Sequence, residues 1–152
     1  MKELFLMLFL STSLNAGDLP DKVLTPGKAD PHLTEKVICA EDFKTGEYRN
    51  VSSALKTRVY REYGVEPYKG YCSGEEGCEV DHLIPIYVGG ANDITNLWPQ
   101  PYEGQPWNAR MKDRLEVKLH NLVCDGTLTL DQAQREISTN WIDAYKKYVL
   151  KK

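Results

Sequence analysis

Over the last third of the chain, apolar residues recur at spacings of three and four. Met111, Leu115, Leu119 and Leu122 line one helical face, with Asn108 opening the segment and Gly126 following its end. A second stripe, Ala133, Ile137, Trp141, Ala144 and Tyr148, follows Thr129, which with Gln132 makes a capping box. Earlier, Ser52 or Ser53 caps a helix that runs to about Tyr63 and stops at Gly64. The remaining pattern is strand-like. Residues 36–41 and 48–51 read as short strands around a turn at 44–46, and residues 79–82, 83–88 and 94–98 read as further strands. Pro85 interrupts this run, while Gly89-Gly90 and Asn92-Asp93 supply turn chemistry. Residues 67–77 and the stretch holding Pro99, Pro101 and Pro106 read as loops. The sum is an α+β domain in which a β-hairpin leads into a helix, with additional helices as scaffold.

The start of the chain has a different character. Lys2 gives a positive beginning, residues 4–10 are an unbroken apolar run, and residues 11–16 are mostly small and polar. That order is the pattern of a secretory signal peptide cleaved near Ala16, since the apolar run is too short for the roughly 20 residues a bilayer span needs. The mature protein is therefore expected outside the cytosol, periplasmic or secreted, and free of the membrane. Residues 17–35, rich in Pro, Asp and Gly, form an extended arm, and residues 36–152 form a single domain.

Cysteine usage fits export. Cys39, Cys72, Cys78 and Cys124 are even in number, which implies two disulfides and leaves three pairings to choose from. Cys72–Cys78, around a short glycine-bearing loop, and Cys39–Cys124, from the N-terminal segment to the end of a late helix, are the favoured pairs. A zinc-bound Cys₄ cluster is the weaker reading, because closely spaced cysteine pairs are missing. At 41% apolar and 27% charged residues the composition is that of an ordinary globular domain. The net charge of −3 argues against tight nucleic-acid binding and implies weak, salt-sensitive contacts with little sequence preference.

The candidate chemistry lies in residues 79–116, which read EVDHLIPIYVGGANDITNLWPQP and then, past a short connection, WNARMKDRLE. The Asp-His pair at a strand end, the Gly-Gly turn, the Asn-Leu-Trp segment and the following helix resemble the ββα-metal core of HNH endonucleases, which here would span residues 79–123. The resemblance implies His82 as general base and Asn96 as the residue that braces the loop and orients the histidine. It implies Asp81 and Asn108 as metal ligands, with Arg110 or Lys112 contacting a substrate phosphate. An imidazole titrates near neutral pH and can deprotonate a water. Oxygen ligands suit Mg²⁺, with Mn²⁺ tolerated.

Each residue also has a plainer reading. Asp81 and His82 could be a surface turn, Asn96 a turn residue, Asn108 only a helix cap, and Glu116 with His120 a surface pair. Asp113 is a reserve ligand. Consecutive strand residues point to opposite faces, so Asp81 and His82 share a site only if the strand bends at its end. The family commonly has His where Asn108 stands, a departure that favours Mg²⁺, and the zinc-binding cysteine pairs of many members are absent. The expectation is a metal-dependent endonuclease acting on DNA. The alternative is an exported, non-catalytic binding protein on the same scaffold.

Overall fold

The computed structural model describes residues 17–65, 77–102 and 106–151. The expected signal peptide lies outside these residues, as does Cys72 and with it the expected Cys72–Cys78 bond. The described chain is mixed α+β, with helices around a two-stranded antiparallel sheet of β1 (Cys78–His82) and β2 (Leu97–Pro101).

Three helices follow from their local signals. Helix α3 (Ser53–Glu62) is capped by the Ser52 hydroxyl, which accepts from Leu55 N at 3.2 Å. Helix α4 (Ala109–Cys124) begins at Asn108, whose side chain accepts from Met111 N at 3.0 Å. Helix α5 (Leu130–Tyr145) carries the full Thr129–Gln132 capping box. The helix is kinked near its end. Asn140 leaves the helix at φ −163° and ψ 100°, and its Oδ1 recaps the chain by accepting from Ile142 N and Asp143 N. Tyr145 is buried in the core, and the expected Tyr148 packs against it only partly buried.

The expected strands at 36–41 and 48–51 are corrected. The chain there makes two helical turns, α1 (Glu35–Ile38) and α2 (Thr45–Tyr48). A strand needs a ladder partner. These segments instead close their hydrogen bonds locally, Cys39 N to Glu35 O and Arg49 N to Thr45 O, each at 3.0 Å. Residues 83–88 are likewise no strand. After Pro85 they turn through a short 3₁₀ segment (Ile86–Val88), and their apolar run is satisfied by burial instead. Residues 94–96 form a second 3₁₀ turn, so β2 starts at Leu97 and takes in Pro99 and Pro101, which were expected in a loop. In a two-stranded sheet each strand keeps an unpaired edge, and a proline lacking its N–H is tolerated there.

Two apolar clusters hold these parts together. One joins Ile38, Ile86, Val88, Leu115, Leu119, Ile137 and Trp141 between α4, α5 and the loop after β1. The other packs Val59 and Tyr63 of the α3 region against Leu83, Leu97 and Trp98. Residues 17–34 run over the domain as loop with turns at 22–24 and 31–32, and are docked on it. Ala29 bridges Gly90, and the buried Thr25 hydroxyl bonds Tyr63 Oη at 2.7 Å and Leu97 O at 2.9 Å. A disulfide joins Cys39, just past α1, to Cys124 at the end of α4, with Cα atoms 5.4 Å apart. Among the described residues no helix is long and apolar enough to cross a membrane.

Candidate functional site

The loop between β1 and β2 is closed by one side chain. Asn96, fully buried, accepts from Ile84 N at 2.9 Å and Lys28 N at 3.1 Å through Oδ1. Its Nδ2 donates to Ile84 O at 2.9 Å and to Ala91 O at 3.0 Å. All four hydrogen-bonding positions of the amide are thus filled, and the loop is folded back on itself. Gly90 permits this closure, because a Cβ there would lie 1.6 Å from Ile84 O.

That loop carries Asn92 to His82, the last residue of β1. Asn92 Oδ1 lies 3.0 Å from His82 Nε2 and accepts from Asn50 N at 3.1 Å, while Asn92 Nδ2 donates to Tyr48 O at 2.8 Å. The backbone partners fix which end of the amide faces the histidine, and an amide oxygen only accepts. His82 Nε2 must therefore carry the proton, which leaves a lone pair on Nδ1. Nδ1 is buried and has no hydrogen-bond partner among the described residues, as is also true of Trp98 Nε1 and both amide atoms of Gln100. Burial holds the His82 pKa below its ordinary value, opposed by the Asp81 charge and assisted by Arg49. Sequence reading saw in Asn92 only a turn residue and did not single out Arg49. The Asn92 contacts to the segment after α2 bring this exposed arginine near the histidine.

Asp81 faces another partner. Lys112 of α4 is fully buried and donates to Asp81 Oδ2 at 2.7 Å, to His82 O at 2.6 Å and to Glu116 Oε1 at 2.6 Å. The expected phosphate contact from Lys112 is therefore corrected: all three ammonium protons are spent inside the protein, on the strand end and on its own helix. Burial alone would lower the Lys112 pKa, but Asp81 and Glu116 overcome it and hold the group protonated. Burial pushes the Glu116 carboxyl up to about 7, against the pull of Lys112. The reading of Glu116 and His120 as a surface pair is corrected as well. Glu116 turns inward to Lys112, and His120 Nε2 lies 2.9 Å from Ile38 O. A signal was available, since Lys112 and Glu116 stand four apart beside the apolar stripe of α4 and match its spacing.

Asn108 is the N-cap of α4 and uses one lone pair of its amide oxygen in that role. Arg110 is exposed in the first turn of the same helix. Asp113, one turn further, has its pKa raised first by burial and then by the Asp81 charge, with Lys112, Arg49 and Arg110 acting in the opposite sense. Glu79 is raised by burial, then by Asp81 and Asp113, and Tyr102 is pushed up to about 12 by burial, then by Glu79. Three carboxylates from β1 and α4 are thus near enough to feel one another's charge. Arg49, Arg110 and Lys112 offset them. No family model, curated protein or solved structure matches the chain.

Proposed function

We propose that this protein is a metal-dependent endonuclease of the HNH type, hydrolysing phosphodiester bonds in DNA, with His82 as general base. One observation carries the reading. His82 presents a buried Nδ1 lone pair with no partner among the described residues, on a ring whose Nε2–H is held by Asn92. An unpartnered buried polar atom is costly, and of those among the described residues only His82 Nδ1 belongs to a ring that can take up a proton near neutral pH. The attacking water would be the partner that Nδ1 lacks. As its oxygen bonds to phosphorus, its proton passes to Nδ1 and the bond from phosphorus to the leaving oxygen breaks. The strand–loop–strand–helix order from Cys78 to Cys124 agrees with a ββα-metal core.

The carboxylate oxygens of Asp81 and Asp113 are of the chemical kind that suits a hard divalent cation. Asp81 Oδ1 lies outside the Lys112 bond, and Asp113 is an exposed carboxylate whose pKa the Asp81 charge helps to raise. When bound, Mg²⁺ or Mn²⁺ would supply positive charge to the phosphate and the departing oxygen. Arg49 and Arg110, the exposed cations on this side, replace Lys112 as the groups that hold substrate phosphate. The Cys39–Cys124 bond fits a protein that works outside the reducing cytosol.

The second reading is a non-catalytic binding protein, favoured by the ammonium that already occupies Asp81 Oδ2. Plasmid cleavage at low salt by the chain from residue 17, with Mg²⁺, Mn²⁺ or EDTA, separates the two. Metal-dependent nicking that disappears in His82→Ala is the expected result. Equal activity in His82→Ala, or no cleavage of DNA with either metal, would overturn the nuclease reading.

A further inference from the structure

The far end of α4 holds a second set of metal-binding side chains, separate from Asp81 and His82. With a rise of about 1.5 Å per residue, the helix places it roughly 24 Å from the Asn108 end. His120 stands one turn before Cys124, and Cys39 follows α1 on the facing segment. The ligand atoms of these three residues lie within 4.8 Å of one another. His120 Nε2 is 3.6 Å from Cys124 Sγ. A tetrahedral zinc site, with Zn–S near 2.3 Å and Zn–N near 2.0–2.1 Å, needs a sulfur–nitrogen edge of roughly 3.6 Å. The imidazole is held in place by aromatic neighbours, stacked on Phe43 at 6.1 Å between centroids and edge-on to Tyr87 at 5.5 Å. Cys124 is exposed, which leaves room for a solvent molecule as fourth ligand.

We propose that Cys39, His120 and Cys124 form a redox-gated site for a soft or borderline divalent cation such as Zn²⁺, open only when the Cys39–Cys124 disulfide is reduced. A dithiol reductant transfers two electrons and two protons to the sulfur–sulfur bond, becomes a cyclic disulfide itself and leaves two thiols. Binding then expels both thiol protons, so the cation meets two thiolates. His120 ligates through Nε2 once its proton moves to Nδ1 and the contact to Ile38 O is given up. The cation thereby takes over the cross-link between the α1 segment and α4, and the two ends of the domain stay tied in either redox state. Thiolate ligands with an imidazole select such a cation over Mg²⁺. This inference does not depend on the nuclease reading.

The test is a Co²⁺ titration of the full chain from residue 17, oxidised and then reduced with a phosphine that does not itself bind the metal as a thiol would. The reduced protein is expected to show thiolate-to-cobalt charge transfer and tetrahedral ligand-field bands, displaced by Zn²⁺, while the oxidised protein shows neither. His120→Ala should weaken Co²⁺ binding at least about tenfold, a loss already typical of outer-shell ligand partners. Cys39→Ser should remove the bands even with Cys72 and Cys78 reduced. Circular dichroism on each variant checks that the helices persist. Should Cys39→Ser fail to fold, His120→Gln supplies the readout, with the same tenfold weakening expected. Bands that survive in Cys39→Ser, binding unchanged in both His120 variants, or no thiolate band in the reduced chain would each overturn the proposal.

Discussion

Asn92 Oδ1 receives the backbone N–H of Asn50 and the ring N–H of His82, and that pairing decides where His82 keeps its lone pair. Because burial lowers the His82 pKa, the neutral ring persists to lower pH than in a free imidazole, which titrates near 6.5. On the proposed mechanism, protonation of Nδ1 abolishes cleavage. The acid limb of the pH profile of kcat/KM is accordingly expected below pH 6.5, and a limb at or above 7 would contradict this assignment. Asn96 matches half of its expected role: it braces the loop, whereas the side chain that contacts His82 is Asn92 and not Asn96. Its reading as a loop brace rests on a side chain with four hydrogen-bonding positions, and all four are used. Asn108 was legible as a cap because capping is local. Asn92 was not legible as a partner of His82, since its neighbours at 48–50 are joined to it only by the fold.

At the scale of elements, Lys112 is the pin between α4 and the end of β1. It bonds the Asp81 side chain and the His82 carbonyl together, so the strand end is fixed to the helix at the point where the candidate chemistry lies. Breaking a buried ion pair from one side leaves charge uncompensated, which typically costs about 3–5 kcal/mol. Lys112→Ala is expected to lose that much in urea denaturation. Glu116→Gln, which keeps an acceptor for the ammonium, should lose much less; equal losses would show that the pin is not the ammonium. The caps and stripes of α3, α4 and α5 were readable because they depend on residues within a turn or two. The short segments were not. Residues 36–41 and 48–51 have strand-like composition, but whether a partner ladder lies beside them is a question of long-range placement. The same holds for β2, whose prolines are admissible only because the sheet ends there.

For the whole molecule, the Cys39–Cys124 bond closes a sequence separation of 85 residues. On the chain-entropy account, a cross-link of that span stabilises the fold by about 4–5 kcal/mol. The paired variant Cys39→Ser, Cys124→Ser, denatured in urea with a chelator present, is expected to lose a stability of that order. A loss below about 1 kcal/mol would show that packing between α1 and α4 alone holds the ends together.

The sequence by itself determined the three longer helices with their caps, the Cys39–Cys124 pairing among the favoured bonds, and the Asp81–His82 segment as the place to look. Each of these follows from residues close together in the chain or, for the cysteines, from chemistry that has few alternatives. Only the tertiary structure decided that Lys112 lies inside and that Asn92 sets the His82 tautomer. It alone brought Arg49 to the site and His120 to the two sulfurs. These are meetings between side chains far apart in sequence, and the packing of the two apolar clusters, not local preference, sets which of them come within reach.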